Sequence, residues 1–436
     1  MLTPLLLLPL LAPQDLSREE NYRLLENIER TTPVVRVVQA VTPAVVFIET
    51  EYTQRGRSRF WGAWEKSYSG SGSGVVVHVD GYVVTNYHVV KGAETISVSF
   101  DKDPEKYPAD LVSFVQSEDL ALLKIKSAGP FEAARMGTSS DLLAGEQVVA
   151  IGNPYGQNHT VYTGIISGLH RGVEIPDHGL EFSDLIQTDA SINFGNSGGP
   201  LLNIRGELIG INTAMNSQAE NIGFAIPVDR LREVLTDILY PQARNSWLGF
   251  RVAPGDTLLV SEVWPDGPAS QSGICEGDRI LAIGGKPVKT RDEFLHASLA
   301  LEPHKSVLLS ILSEGERQDV KVGTWDRFDG LLFERLGITV SEIKIDDRSW
   351  VLVDRISDGS PAQALGLQRY DLIPSIKAGS ARAPKGWRIN SKHDLARLVQ
   401  ELKPGAEIRM DVVRDKNEDK RYDTRTELYK GWMTIR

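Results

Sequence analysis

The C-terminal half of the chain is written twice. Gly267-Pro268-Ala269, then Gly273, then Asp278-Arg279-Ile280 returns as Ser360-Pro361-Ala362, Gly366 and Asp371-Leu372-Ile373, at a constant offset of 93 residues. Upstream, Trp247-Leu248-Gly249-Phe250 is answered by Arg335-Leu336-Gly337-Ile338; downstream, Leu301-Glu302-Pro303 is answered by Leu402-Lys403-Pro404. Three matched blocks in one order mean two copies of one folding unit. Two domains are therefore expected at 246–325 and 332–436, with Pro241 to Asn245 as the linker before them.

The full 436 residues leave room for two to four domains, each with its own core. A net charge of −10 leaves no basic excess to neutralise phosphates, which excludes nucleic acid as a general partner. The single cysteine, Cys275, excludes an intramolecular disulfide and a multi-cysteine zinc site. No Walker-type phosphate loop occurs to suggest nucleotide use, and no cofactor or metal is expected. Leu5 to Leu11, broken by Pro9, is far shorter than the roughly 20 apolar residues of a membrane span. It reads as the apolar region of a secretory signal over 1–14, although Met1 to Pro4 carry no Lys or Arg. Ser17-Arg18-Glu19-Glu20 reads as a capping box, with Leu24, Leu25 and Ile28 at helical spacing, so 15–32 is expected to contain a short helix.

A third domain is expected over 33–240. Val34 to Val41 is apolar up to Thr42-Pro43, and Ala44 to Ile48 reads as a first strand. Short β-rich runs follow at Gly74 to Val79, Tyr82 to Thr85, Ile96 to Phe100, Leu120 to Ile125, Val148 to Ile151, Thr163 to Leu169 and Leu208 to Thr213. Many short strands at such spacing predict an all-β barrel or sandwich. Glu51 to Tyr68, charged and aromatic without a period, reads as a long surface loop, and Pro227 to Leu239 as a closing amphipathic helix.

The chemistry concentrates in this domain. Gly195-Asn196-Ser197-Gly198-Gly199-Pro200 has what a nucleophilic serine needs: a tight turn, small neighbours and backbone N–H groups free to face a developing oxyanion. Alone it could equally be a Gly-rich hairpin connection. His88 closes the run Thr85-Asn86-Tyr87-His88 at a predicted strand end. Asp119 abuts the apolar run Leu120 to Ile125, where its carboxylate can hold an imidazole; Glu118 is the rival acid. The order His, Asp, Ser on a β-rich domain is that of chymotrypsin-type barrels.

On these stretches, together with Val37 to Ile48, Gly70 to Val90, Ile186 to Pro200 and Asn221 to Leu231, the sequence resembles the HtrA (DegP-like) family of serine proteases. Gln187-Thr188-Asp189-Ala190 and Ile222-Gly223-Phe224-Ala225-Ile226-Pro227 are particular to that family among trypsin-like enzymes. The resemblance implies a mainly β chain, with a trypsin-like double β-barrel followed by two PDZ-type α+β domains. It implies catalytic His88, Asp119 and Ser197, and an oxyanion hole from the N–H groups of Gly195 and Ser197. Ser191, Ile192 and Phe194 would shape the primary specificity pocket, and Ile222, Gly223 and Phe224 would pair with an extended substrate as an added strand. No Asp stands where Arg/Lys selectivity needs one, so an apolar residue is expected before the cleaved bond. One departure is Phe194, where the family usually has proline; its ring would narrow the pocket or hold the loop inactive.

In the repeats, Trp247, Leu248, Gly249 and Phe250, and likewise Arg335, Leu336, Gly337 and Ile338, resemble PDZ loops that hold a peptide's C-terminal carboxylate. The facing helices are expected at Arg291 to Leu301 and Ser391 to Leu402. Tyr370 replaces the glycine equivalent to Gly277, and Ser375 to Asn390 is longer and more basic than its counterpart, so the second copy is expected to bind poorly or to serve subunit contacts. The family implies an exported, ATP-independent endopeptidase of the periplasm or cell envelope. Its tasks would be stress response and protein quality control on unfolded polypeptides, as a homotrimer or a multiple of one. A chaperone or peptide-binding scaffold without proteolysis, and a regulatory protease with one target, are the alternatives.

Overall fold

The computed structural model describes residues 30–436 apart from 59–61, 102, 104, 153–159, 176–179, 193–194, 216–220, 256, 379–384, 404, 416–421 and 423–427. The expected signal segment, the capping box at Ser17 and nearly all of the 15–32 helix lie outside the described residues, as does Phe194. Two units divide between Glu233 and Val234. Among the described residues no helix is long and apolar enough to cross a membrane.

In the first unit, short apolar runs become strands buried on both faces. Tyr82–Asn86 is buried at every position and Leu120–Ile125 at all but Lys124. They are β3 and β6 of a closed barrel whose other strands are β1 (Val45–Ser58), β2 (Gly62–His78), β4 (Thr95–Phe100) and β5 (Tyr107–Val115), in the order β1-β2-β3-β6-β5-β4. Val46, Ile48, Val83, Leu123 and Ile125 meet at its centre. A second closed barrel contains β7 (Gln147–Gly152), β8 (Thr160–Ile175), β9 (Leu180–Thr188), β10 (Pro200–Asn203), β11 (Leu208–Met215) and β12 (Gly223–Pro227), ordered β10-β11-β12-β9-β8-β7. Closure pairs backbone groups that an open sheet would leave at its edges.

Two expectations need correction. Glu51 to Tyr68 is not a loop, because β1 and β2 stay in register from Val45↔Val75 out to Ser58↔Gly62. Backbone pairing in a projecting hairpin needs no apolar period, so its strands left no signal. Pro241 to Asn245 is not a free linker either. Leu235–Leu239 forms a π-helical turn, and Tyr240–Ala243 continues as α-helix with Pro241 in its first turn, where a missing N–H costs little. The expected closing helix starts at Val228. The Val34 to Val41 stretch is a helix, Pro33–Val41, capped by Thr32; Val37 and Val41 are buried while Val35 is exposed.

In the second unit the 93-residue offset falls on like elements. Short helices Pro268–Gln271 and Pro361–Leu365 each begin with the repeated proline, and the strands Arg279–Ile283 and Leu372–Ala378 follow the repeated aspartates. Longer helices, Arg291–Leu299 and Lys392–Glu401, fall inside the expected ranges, each capped by a Thr or Ser side chain. One difference precedes each copy's loop. Ser246–Trp247 is a strand paired with Trp325–Asp326, whereas Arg335 and Leu336 end a helix, Arg327–Leu336.

Trp247, Trp264 and Phe333 form a buried cluster with Trp325 against it. The Trp325 and Phe333 rings meet edge to face with centroids 5.1 Å apart. Gly330 allows the close approach, since a Cβ there would stand 2.2 Å from Trp247 Cγ. Phe333→Ala should cost about 3–5 kcal/mol and lower the urea midpoint of tryptophan fluorescence. An unchanged midpoint would mean that the cluster does not support this unit.

Candidate active site

His88 sits in a one-turn helix, Tyr87–Val90, directly after β3. Asp119 ends the turn before β6 in left-handed conformation, with φ at 51°. That unusual backbone turns its carboxylate inward; Asp is among the few residues that accept it readily. The Asp119 carbonyl takes hydrogen bonds from Tyr87 N (3.0 Å) and Asn86 Nδ2 (3.1 Å), which lock β3 and β6 together at this point.

The Asp119 carboxylate, 2% exposed, accepts three hydrogen bonds. His88 N donates to Oδ1 at 2.9 Å, while His88 Nδ1 lies 2.7 Å and Thr213 Oγ1 3.0 Å from Oδ2. A buried carboxylate is tolerable only with such donors. Both ends of the imidazole's attachment are thereby set, since backbone N–H and ring nitrogen reach the same carboxylate. Glu118 plays no part in this, because it pairs with Arg230. The sequence left Glu118 and Asp119 both open, and the left-handed turn separates them.

Ser197 stands on a turn of Gly195 to Gly198 and is half-buried. Ser73 of β2 clamps this turn by donating Oγ to the Gly195 carbonyl (2.6 Å) and N to the Ser197 carbonyl (2.9 Å). The Asn196 carbonyl accepts from Gly199 N at 2.9 Å. The N–H of Ser197 lies across the same planar peptide and so points the other way. Gly195 has φ at 102° and Gly198 at 82°, and a Cβ on Gly198 would stand 2.2 Å from Thr85 Oγ1. Backbone conformation thus requires glycine at both positions, and space requires it at Gly198 as well.

Around the serine, Ile192 is buried and Ser191 accepts from Asn196 Nδ2 at 3.0 Å. Gly223 leaves room for Ile192, whose Cγ1 lies 2.4 Å from where a Cβ would be. The expectation that Ile222, Gly223 and Phe224 receive substrate as an added strand is corrected for Gly223 and Phe224. Gly223 and Phe224 pair on both sides, with Thr188 and Gln187 of β9 and with Met215 and Ala214 of β11. A strand without a free edge cannot add another. Beyond the last contacts of the β10 side, at Ile211 and Asn212, β11 pairs, among the described residues, with β12 alone through Met215. That open edge begins at Thr213, beside Asp119. Sequence reasoning missed Thr213 and Ser73. The signal for Thr213 was a hydroxyl residue at the end of the strand run Leu208 to Thr213, whereas Ser73 sat in a Gly-Ser stretch without contrast.

In the second unit, Trp247 to Phe250 forms a turn between two strands, with Gly249 at φ 83°. Burial pushes the Arg244 guanidinium, just upstream, down to about 10, with Glu334 opposing the shift and Arg291 and Arg251 adding to it. In the second copy the Gly337 N–H caps its helix by donating to the carbonyls of Leu332 (3.1 Å) and Phe333 (2.9 Å). Tyr370 adopts φ 75° where its counterpart Gly277 has 91°.

Two six-stranded β-barrels with a histidine–aspartate pair and a glycine-flanked serine, followed by two α+β repeats, define a trypsin-like serine protease with PDZ-type domains. The trypsin-like peptidase domain family matches residues 72–211, and the PDZ domain family matches 209–324. A probable periplasmic serine endoprotease DegP-like of Pseudomonas fulva is 31% identical over 405 residues, covering 84% of this chain and 81% of that protein. The periplasmic pH-dependent serine endoprotease DegQ of Escherichia coli is 32% identical over 417 residues, covering 87% of this chain and 88% of its own. Protease Do-like 1, chloroplastic, of Arabidopsis thaliana is 35% identical over 312 residues, covering 66% and 70%. The chain belongs to the HtrA (DegP-like) family and is a serine endoprotease of that type.

Thr213→Val keeps size but removes one donor from the buried carboxylate. It should lower kcat/KM by about tenfold while the protein stays folded by circular dichroism. Unaltered kinetics would remove Thr213 from the site.

Proposed function

We propose that Ser197 attacks the carbonyl carbon of a peptide bond, with His88 taking its proton and then delivering it to the leaving amine. Asp119 holds the imidazole through Nδ1 and stabilises its cation. The observation that carries this reading is the buried carboxylate with its three donors, two of them from His88. Such a built support for one imidazole has no evident structural use. The N–H groups of Gly195 and Ser197 receive the oxyanion; for Ser197 the role is supported by the Asn196 carbonyl, which Gly199 N holds on the opposite side of the shared peptide.

The substrate chain lies along the open edge of β11 from Thr213 to Met215, as an added strand. Ile192, with Gly223 making room for it, supplies an apolar wall, so a small aliphatic residue is favoured before the cleaved bond. Recognition through backbone hydrogen bonds requires an extended chain, which unfolded proteins offer and folded ones do not. A quality-control protease acting on unfolded or damaged proteins is the function that suits this. The names of the bacterial relatives above favour the periplasm as its place of work. At the first PDZ domain, the turn Trp247 to Phe250, with Gly249 at φ 83°, is where a peptide's C-terminal carboxylate would be received by backbone N–H groups.

The test is degradation of reduced casein followed by mapping of the cut sites. Ser197→Ala should slow it by roughly four orders of magnitude, and wild-type cuts should follow small aliphatic residues. Degradation surviving in the variant, or cuts after Lys and Arg, would contradict the respective part of the proposal.

A further inference from the structure

A PDZ groove runs between one strand and one helix, and on the reading above each repeat would take a peptide C-terminus there. We propose that both grooves are held shut by the chain's own preceding segments, 235–243 over the first and the Arg327–Leu336 helix over the second. The inference rests on that peptide-binding reading and adds its regulation: a peptide must displace a resident segment before it can dock.

The first groove lies between Phe250–Val252 and the helix Arg291–Leu299. Arg291, Leu295 and Ser298 recur at i, i+4 and i+7, so they share one face of that helix. Arg291 Nη1 is paired with Asp237 Oδ1 at 2.5 Å. Three residues further on, the Tyr240 ring meets His296 edge to face, with centroids 5.5 Å apart. The segment from 237 to 240 therefore packs along the helix, reaching the groove face at Arg291 and the flank of the helix at His296. Along the groove Leu248, Phe250 and Leu295 are 2%, 6% and 5% exposed and Ser298 is fully buried, and the Phe250 ring lies 5.8 Å from that of Phe294.

The second groove repeats the arrangement with a different sequence. Lys392, Ala396 and Val399 form the matching face of the helix Lys392–Glu401. Lys392 Nζ lies 3.0 Å from Asp329 and 3.7 Å from Asp326, and Phe328 meets His393 with centroids 4.6 Å apart. At the other end Arg335 Nη2 donates to the Leu402 carbonyl at 2.6 Å. Lys392 N also donates to Glu342 Oε1 at 2.7 Å, which bridges helix and strand across the groove. Ala396, Val399 and Ile338 are fully buried.

In both copies a cation at the first residue of the groove helix is held by an aspartate from the upstream segment, and a ring from that segment packs on a histidine. Because the paired residues are not related by a common offset, the likeness belongs to the geometry and not to a copied motif. The two segments are also tied together. Arg327 N donates to the Asn245 carbonyl at 3.1 Å, and the Arg327 guanidinium donates to the Gln242 carbonyl. Opening one groove thus loosens what closes the other.

A groove that is open only part of the time binds with an apparent Kd raised by the inverse of its open fraction. Each holding ion pair is partly exposed and so modest. Removing one should therefore tighten binding by about threefold to tenfold.

The experiment uses the full chain carrying Ser197→Ala, so that the probe survives. The probe is a fluorescein-labelled octapeptide pool, randomised at its last four positions with a free carboxylate, against the same pool amidated. Anisotropy is read for the parent, for Asp237→Asn and Asp329→Asn, and for Asp237→Lys and Asp329→Lys. The Asn variants keep the size of the side chain and guard against misfolding of the charge reversals. Weak binding in the parent, tightened by each variant and abolished by amidation, is the expected result. Equal binding by parent and variants, at two peptides per chain, would overturn the closure while leaving peptide recognition intact. No binding by any of them would overturn both.

Discussion

Everything in the catalytic unit leads to one buried carboxylate. Asp119 is an acid removed from water at the end of a β-strand, and such a group persists only if donors surround it. The donors come from both barrels: His88 follows β3 of the first, and Thr213 lies on β11 of the second. The backbone supports the same point, with the Asp119 carbonyl binding Asn86 and Tyr87. The barrels therefore act as a rigid frame that fixes the position of one imidazole.

The serine turn is fixed by a similar economy. Ser73 holds two of its carbonyls, Gly198 fits where any side chain would collide with Thr85, and the N–H of Ser197 is turned away from the loop's own acceptors. Where β10 stops and β11 continues, the second barrel leaves a strand edge beside the serine. On the proposed reading, chemistry and substrate alignment both rest on the same interruption of an otherwise closed sheet. In the second unit the residues assigned to the two peptide loops are largely out of solvent, with Leu248, Phe250, Leu336 and Ile338 buried.

Much of this was legible in the sequence because it depends on local pattern. Apolar runs such as Leu120 to Ile125 marked buried strands, and the 93-residue repeat marked two like domains. His88, Asp119 and Ser197 stood out by order and by small neighbours. What escaped was decided at long range. Thr213 and Ser73 matter through partners 94 and 122 residues away, which no window contains. The hairpin within Glu51 to Tyr68 is held by backbone register, which leaves no period in the side chains. Gly223 and Phe224 were expected at a free strand edge and instead pair on both sides, because strand order decides which edges remain free. Arg335 and Leu336 resembled a loop through the repeat and instead complete a helix, whose Gly337 cap no offset could predict.

The most direct measurement is covalent labelling with a fluorophosphonate, followed by mass spectrometric mapping of the adduct. Only a serine activated by an adjacent base and oriented toward an oxyanion site reacts quickly with such a reagent. The account predicts one adduct per chain, on Ser197, lost when His88 is replaced by Ala and strongly slowed when Asp119 is replaced by Asn. An adduct on another serine, or labelling of Ser197 that is indifferent to His88, would contradict it.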